Sequence, residues 1–274
     1  MTPPSSGHDR QAVLLDGELT ILGRIRSASN ATFLCEATLG EDTVHCVYKP
    51  VSGEQPLWDF PDGTLAGREV SAYLISRQLG WNIVPHTIIR HGPAGPGMLQ
   101  LWVDQPGDAA DSDPAPGPDL VDLFPAGKRV PGYLPVLRAY DYAGDEVMLM
   151  HADDIRLWRM AVFDVLVNNA DRKGGHVLRD LEGHIYGVDH GVCLHVENKL
   201  RTVLWGWAGK PVDGKTLAAV ADLADALTGS FAEELAEQIT TAEIAALRMR
   251  ACALLDNPVM PGPNRHRPIP WPAF

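Results

Sequence analysis

The residue types best suited to chemistry lie in one segment, residues 168–195, which reads NNADRKGGHVLRDLEGHIYGVDHGVCLH. It places Asp171 in a predicted loop just after a helix, His176 at the start of a strand, and Asp189 just after the next strand. A hairpin between the two strands would bring the three side chains together. Two carboxylates and a further ligand suit one acid/base group and a divalent cation that holds phosphates. The alternative interpretation is a polar turn cluster of solvated Asp and His side chains.

The predicted elements around this segment are mainly helical. Residues 153–168 have apolar side chains at helical spacing and begin with Asp153 and Asp154, both suitable N-cap residues. The short apolar runs HVLRD and HIYGVD follow as a predicted hairpin. Two capping boxes, which begin at Ser230 and Thr240, predict further helices.

The first hundred residues instead predict a sheet. Short β-rich runs such as LTILGRI, ATFLCEATL, TVHCVYKP and the pair IVPHTII/MLQLWV are separated by Gly, Asn, Asp or Pro, a pattern typical of antiparallel strands. One helix interrupts them from Thr64 to Leu79, and Gly80 ends it as a C-cap glycine would.

Composition divides the chain further. The segment DQPGDAADSDPAPGPD, residues 104–119, contains too much Pro and Asp for a helix or a central strand and predicts a linker or surface loop. The Pro-rich ends, residues 1–9 and 257–274, are expected to lie outside the core, and docking of Trp271 and Phe274 stays open. The predicted units are a sheet lobe at 10–103, a loop and linker at 104–150, a helical lobe at 151–256 and a tail at 257–274.

Net charge and hydropathy exclude several classes of protein. The 274 residues carry 23 Lys and Arg against 35 Asp and Glu, a net charge of −12, which argues against a non-specific nucleic-acid binder. No apolar stretch is long enough for a membrane helix, so membrane insertion is not expected. The first residues lack a secretory signal pattern, and the four cysteines lack metal or disulfide spacing, so a cytoplasmic location is expected.

The motif residues resemble a known family. NNADRKGGHVL followed by VDHG resembles the catalytic loop and metal-binding motif of the phosphatidylinositol kinase-like branch of the protein-kinase fold. The resemblance is closest to a bacterial group of phosphatidylinositol 3- and 4-kinase-like proteins and more distant to the HipA-type kinases. It is strongest over residues 164–191 and weaker from about residue 20 to residue 103. It implies a two-lobed α+β fold, with a small antiparallel-sheet lobe containing one helix and a mainly helical lobe with an embedded β-hairpin.

The resemblance also implies roles for individual residues. Asp171 matches the catalytic aspartate, which would orient or deprotonate an acceptor hydroxyl, and Arg172 follows it as in the family. Asp189 matches the aspartate that holds Mg²⁺ against ATP. His176 stands where the family has a metal-binding Asn, and an imidazole is a softer ligand than an amide oxygen. Three interpretations remain open: the second metal is bound differently, Mn²⁺ is preferred, or His176 contacts phosphate directly.

The family further requires nucleotide-binding residues in the sheet lobe. Lys49, at the end of an apolar strand, matches the lysine that anchors the ATP phosphates, and Glu69 in the helix matches its ion-pair partner. The turn at residues 26–33 would lie over the phosphates, and the segment from Gln100 to Val103 would contact adenine. The predicted nucleotide-binding residues of these two segments are Ser27, Ser29, Asn30, Gln100, Trp102 and Val103.

Two rival sites exist in the sequence. Residues 209–216 fit the P-loop pattern G-x-x-x-x-G-K-T, but they neither follow a convincing strand nor lead into further βα units. The histidines of the segment, with Asp171 and Asp189, suggest a transition-metal hydrolase, but the spacing of known metal motifs is missing.

The sequence therefore predicts an ATP- and Mg²⁺- or Mn²⁺-dependent kinase acting on an unidentified protein, small-molecule or lipid hydroxyl. A nucleotide-binding module without turnover and a metal-dependent hydrolase remain as alternatives. Nothing in the sequence indicates the oligomeric state.

Overall fold

Two lobes form the protein, and the first is built on an antiparallel sheet. The computed structural model describes residues 7–25, 30–60, 64–106, 119–264 and 267–274. The sheet has the strand order β1-β2-β3-β5-β4. Its elements are α1 Gly7–Asp16, β1 Glu18–Arg24, β2 Phe33–Leu39, β3 Asp42–Pro50, α2 Leu65–Gln78, β4 Thr87–Gly92 and β5 Gly95–Leu101.

Strand alternation decides which way β3 presents its side chains. Cys46 and Tyr48 are fully buried in a small apolar cluster that also includes Val13 and Leu14 of α1. Because successive side chains of a strand point to opposite faces, Lys49 faces away from this cluster.

Helix α1 is a second helix of the sheet lobe, where the sequence predicted one. Its sequence GHDRQAVLLD has no sustained apolar period, so local pattern does not reveal it. The helix is held by distant residues: Val13 and Leu14 pack on the sheet, and the Arg90 guanidinium donates to the carbonyls of Leu14, Leu15 and Gly17. These bonds satisfy carbonyls at the helix end that have no partner within the helix.

A three-stranded antiparallel sheet occupies much of the segment predicted as loop and linker, residues 104–150. The strand order is β6-β8-β7, and the strand bounds are β6 Val121–Pro125, β7 Tyr133–Tyr140 and β8 Glu146–Ala152. Pro135 lies on the edge strand β7 beside an irregularity in the register with β8, where proline is tolerated. Residues 107–118, most of the predicted Pro/Asp-rich loop, lie outside the described residues.

The second lobe is mainly helical and contains the predicted hairpin. Its elements are α3 Ile155–Val167, β9 Val177–Arg179, β10 Ile185–Gly187, α4 Gly214–Ala226, α5 Ser230–Ala236 and α6 Thr241–Asp256. Asp154 caps α3, and the predicted capping box at Thr240 is formed at the start of α6. The box predicted at Ser230 is not formed, because Ser230 is already the first residue of α5 and Gly229 occupies the N-cap position.

The two-lobed α+β architecture predicted from the sequence is therefore confirmed. One large apolar cluster runs through both lobes and includes Ile75 of α2 and Phe163 of α3. Within the described residues, no helix combines the length and apolar character needed to cross a membrane.

The burial of His151, near the end of β8, should make the stability of the fold depend on pH. Its side chain is fully buried, its Nε2 accepts a hydrogen bond from the Gly206 amide, and its ring lies 4.3 Å from that of Trp207. Burial lowers the pKa of His151, a shift that the Ala152 carbonyl and Asp153 oppose. The unfolded chain therefore binds this proton more readily than the folded one, and stability falls as the pH drops below the pKa of an ordinary histidine, about 6.5.

The expected result is a lower free energy of unfolding at pH 5 than at pH 7.5, as measured by urea denaturation. His151→Gln should flatten part of this slope, whereas the same change at the exposed His91 should not. An unaltered slope in His151→Gln would contradict the assignment.

Candidate active site

Glu69 is held in the cleft between the lobes by the start of α2. The Thr64 hydroxyl accepts from the Gly67 amide at 2.9 Å, and the Glu54 carboxylate accepts from the Leu65 and Ala66 amides. These bonds occupy amide groups that a helix N-terminus otherwise leaves unpaired. One helical turn further on, the Glu69 side chain is buried.

Lys49 connects both lobes. Its Nζ lies 2.6 Å from Oε1 of Glu69 and 2.7 Å from Oδ1 of Asp189. The three residues come from β3, α2 and the turn after β10, and 140 residues separate Lys49 from Asp189. The structure thus brings together three of the residues predicted from the sequence.

Charge stabilises this arrangement. Burial alone would lower the pKa of Lys49, but the carboxylates of Asp189 and Glu69 outweigh it and raise the pKa above its ordinary value. The Lys49 ammonium in turn holds the pKa of Asp189 well below its usual range. Both groups are therefore charged at neutral pH, which phosphate binding by Lys49 and cation binding by Asp189 would require.

The backbone at Asp189 has a φ of 60°, in the left-handed region. Asp tolerates this conformation better than most residues. The next amide, of His190, donates to Oε2 of Glu69 at 3.0 Å. Glu69 therefore holds Lys49 with one oxygen and the turn that carries Asp189 with the other.

The loop that carries Asp171 is fixed by the two asparagines at the end of α3. Asn168 ends the helix with a φ of 54°, and its side chain donates to the carbonyls of His195 and Glu197. The Asp171 amide donates to Oδ1 of Asn169 at 3.0 Å. The motif residues Asn168 and Asn169 thus shape the loop and leave the Asp171 side chain accessible, with 30% of its surface exposed.

Lys173 is a site residue to which the sequence analysis assigned no role. Its Nζ lies 3.3 Å from Oδ2 of Asp171. Burial raises the pKa of Asp171, and Lys173 and Arg201 partly oppose this. The signal that could have found Lys173 is its position two residues after Asp171, which places a cation beside the predicted base.

Arg172, predicted as part of the catalytic pair, lies behind the site. Its side chain is fully buried and pairs with Asp164 of α3 at 2.9 Å, while its Nη1 donates to the carbonyls of His176 and Val188. Its Nη2 lies 2.6 Å from Nε2 of His190. The guanidinium binds the loop and both ends of the hairpin to α3, so its position is that of a positioning residue.

His176 is placed beside Asp189, with its Nε2 3.4 Å from Oδ2 of the carboxylate. Burial lowers the pKa of His176 to about 4, so the imidazole is neutral and able to bind a cation. Its buried Nδ1 has no hydrogen-bond partner within the described residues. One carboxylate and one neutral nitrogen fit a divalent cation, and the nitrogen suits Mn²⁺ better than Mg²⁺.

The structure places the predicted nucleotide-binding residues differently from one another. The side-chain oxygen of Asn30 accepts a hydrogen bond from the backbone amide of Gln55. Ser27 and Ser29 lie outside the described residues. Gln100 is turned into the sheet, where it is buried and donates to the Thr87 hydroxyl at 2.8 Å.

Trp102 and Val103 directly follow the end of β5. The Trp102 amide donates to the His45 carbonyl at 3.0 Å, so this N–H is already used within the protein. Adenine contacts by Trp102 and Val103 stay a prediction.

The P-loop interpretation is wrong. A short 3-10 helix, Trp205–Trp207, precedes the motif in place of a strand. The Asp213 carboxylate caps α4 by accepting from the amides of Lys215 and Thr216, which a P-loop would offer to phosphate.

The hydrolase interpretation also fails on geometry. His184 binds the Asn82 carbonyl, His195 packs edge-on against Phe60, and His190 is buried against Arg172. In the part of the chain that the structure describes, no group of three or more His, Cys, Asp or Glu side chains is arranged to hold a metal ion. A cation at His176 and Asp189 would therefore need further ligands, such as phosphate oxygens.

Comparison with known proteins places the chain among relatives. Protein Rv2133c of Mycobacterium tuberculosis (strain ATCC 25618 / H37Rv) is 80% identical over 266 residues, which cover 97% of this chain and 96% of that protein. No family model matches the chain, so the resemblance to the phosphatidylinositol 3- and 4-kinase-like group stays a prediction.

Solved structures show the fold. The Golgi casein kinase aligns with a TM-score of 0.53 at 13% identity, over 92% of this chain and 75% of that chain. The Helicobacter pylori proinflammatory kinase CtkA aligns with a TM-score of 0.45 at 11% identity, over 89% of this chain and 94% of that chain. The chain belongs to the family of Protein Rv2133c, and its fold is kinase-like.

Proposed function

We propose that the protein is an ATP-dependent phosphotransferase that moves the γ-phosphoryl group to a hydroxyl. The observation that carries this proposal is the placement of Lys49 between Glu69 and Asp189, in the cleft of a kinase-like fold. Phosphoryl transfer depends mainly on positioning and on charge stabilisation, and this triad combines a phosphate anchor, its partner and a cation ligand.

Each residue of the site has a role in this proposal. Asp171 accepts or orients the acceptor hydroxyl proton, and its raised pKa favours that exchange. Lys49 binds phosphate oxygens, and Lys173, beside Asp171, offsets the charge of the transferred group. Asp189 and His176 would hold a divalent cation, which supplies charge neutralisation at the phosphates.

The acceptor class stays open among a protein, a small polyol and a lipid. The resemblance of the motifs favours an inositol lipid. The net charge of −12 favours the other two classes, because anionic head groups bind to clusters of Lys and Arg.

A second candidate function is nucleotide binding without turnover. The observation that favours it is His176 in place of the expected Asn, since the described residues supply a single carboxylate and an imidazole to the cation. Both candidates require ATP binding, and they differ in release of ADP.

The test is calorimetric binding of ATP with Mg²⁺ and then Mn²⁺ to the wild type, Lys49→Met and Asp189→Ala. We expect metal-dependent binding to the wild type and a loss of at least about tenfold in affinity in each variant, because each removes a charged contact worth about 1.5–3 kcal/mol. Lys215→Ala is the matched control, because this exposed lysine belongs to the rejected P-loop and should leave binding unchanged.

The outcomes separate the hypotheses. No ATP binding with either metal would overturn the proposed function and its alternative. Loss of ATP binding in Lys215→Ala alone would favour the P-loop interpretation of residues 209–216. Binding by the wild type without ADP release in the presence of protein, polyol and inositol-lipid acceptors would favour the module without turnover.

A further inference from the structure

The Pro-rich tail predicted to lie outside the core is attached to the helical lobe. We call residues 258–274 the strap, of which 258–264 and 267–274 are described. Its first part is fixed by the Pro258 carbonyl, which accepts from the Val212 amide, and by Met260, which is 4% exposed within the large apolar cluster.

The middle of the strap contacts the residues that hold the catalytic loop. The Pro268 carbonyl accepts from the Thr202 amide at 3.1 Å and from Nε1 of Trp205 at 2.9 Å. The Thr202 hydroxyl donates to Oδ2 of Asp164, the carboxylate that pairs with Arg172. The strap therefore packs on the residues that lie behind the site, on the side of Asp164 and Arg172.

Its last residues reach the catalytic loop itself. The Ala273 carbonyl accepts from the Gly174 amide at 2.8 Å. The Phe274 ring packs so closely on Gly174 that a Cβ at this position would lie 2.5 Å from a ring carbon. Gly174 begins the 3-10 turn Gly174–His176, three residues after Asp171. The strap thus contacts the backbone between the predicted base and the predicted cation ligand.

A cavity of about 320 Å³ lies beside this contact. Its lining includes Phe274, Gly174 and Gly175, together with Gln105 and Pro106, which follow β5 in the chain. The ring of Phe274 is therefore both a support for the loop and a wall of a space that adjoins it.

We propose that the end of the strap, Ala273 and Phe274, is a positioning element of the active site and that Phe274 is the residue that fixes the loop between Asp171 and His176. The proposal rests on the proposed phosphotransfer for its effect on turnover. The Ala273 carbonyl bonds to the Gly174 amide and the Phe274 ring packs on Gly174, whereas Lys49 is bound by Glu69 and Asp189. Loss of the ring should therefore lower kcat more than it raises KM for ATP.

The experiment compares Phe274→Ala with Trp271→Ala, a matched change of an aromatic residue in the same strap. Trp271 is 92% exposed and Phe274 is 47% exposed. We expect Phe274→Ala to lower kcat about tenfold to a hundredfold, because a displacement of about 1 Å in a catalytic group has effects of this size. KM for ATP should change little, and Phe274→Leu should restore most of the turnover. Trp271→Ala should behave like the wild type.

Hydrogen exchange provides a readout that needs no activity. The Gly174 amide should exchange at least about tenfold faster in Phe274→Ala than in the wild type or Trp271→Ala, because its bond to Ala273 opens more often. Unchanged exchange at Gly174 would overturn the proposal, and so would an equal loss of turnover in Trp271→Ala. Faster exchange in a protein without phosphotransfer would leave the strap contact established and count against the proposed function alone.

A double variant tests the contact directly. Gly174→Ala forces the Phe274 ring away and should lower kcat, but in combination with Phe274→Ala the added methyl group has room. The effects of the two changes should therefore be clearly less than additive. Strict additivity would contradict a direct contact between ring and loop.

Discussion

Asp171→Asn should lower turnover about 10²- to 10⁴-fold, the usual contribution of a positioned general base. The amide has the size of the carboxylate but cannot accept the proton of an acceptor hydroxyl. Asp171 forms an ion pair with Lys173 at 3.3 Å, and its side chain is 30% exposed, so folding should survive the change. ADP release measures turnover, and calorimetry measures ATP binding, which should remain.

The pH profile adds a second readout to this prediction. Burial raises the pKa of Asp171, so turnover in the wild type should fall on the acidic side at a higher pH than an ordinary Asp would cause. The residual activity of Asp171→Asn should lack this acidic limb.

Asp222→Asn is the matched control, because Asp222 is an exposed carboxylate on α4. Its turnover and pH profile should equal those of the wild type. Wild-type turnover in Asp171→Asn would show that the hydroxyl proton is accepted elsewhere.

Arg172→Met should destabilise the fold by about 3–5 kcal/mol, the usual cost of removing one partner from a buried ion pair. The change leaves the fully buried Asp164 carboxylate without its guanidinium and removes the bonds to the His176 and Val188 carbonyls. Urea denaturation followed by circular dichroism measures this effect.

An exposed pair provides the control for Arg172. Arg138 and Glu146 lie 3.4 Å apart, with side chains 68% and 46% exposed, so Arg138→Met should cost no more than about 1 kcal/mol. Replacing both buried partners, in Arg172→Met with Asp164→Leu, should be less destabilising than Arg172→Met alone, because no unpaired charge remains. A mild loss of stability in Arg172→Met would contradict this structural role and favour the role beside the catalytic aspartate that the sequence analysis predicted.

Lys49 and Glu69 show which features of the site the local sequence pattern can predict. Lys49 ends an apolar strand and Glu69 lies in a helix whose start and end are both marked, so each element could be predicted from its own residues. Their pairing followed from the resemblance, and the distance of 2.6 Å between them agrees with it. The order of Asp171, His176 and Asp189 along a loop and hairpin was also readable, because short strands with a turn between them bring their ends together.

Arg172 and Gln100 show what the local sequence pattern cannot predict, namely the direction of a polar side chain. Both were themselves predicted as site residues, and their sequence positions do not reveal whether they face the cleft or the interior. The direction of each side chain depends on partners elsewhere in the chain. Asp164 and His190 contact the Arg172 guanidinium, and the Thr87 hydroxyl accepts a hydrogen bond from the side-chain amide of Gln100. Burial of a polar group requires such partners, and only tertiary packing supplies them.

The elements missed by the sequence analysis share one cause. The apolar residues of α1 form a single run without a helical period, the sheet of β6, β7 and β8 follows the Pro/Asp-rich segment at 104–119, and the strap is rich in proline. Each is stabilised by contacts with residues distant in sequence, such as Arg90 for α1 and Gly174 for the strap.

The sequence by itself determined the α+β class with its sheet lobe and helical lobe, and the limits of α2 and α3, because periodicity, capping and spacing are local properties. The residues of the cleft were assigned through the resemblance to the kinase-like family. The tertiary structure alone decided that Lys49 meets both Glu69 and Asp189, that Arg172 supports the loop from behind, and that the strap closes on Gly174. These contacts join residues from different elements, and their energy depends on burial and charge pairing that arise only once the chain has folded.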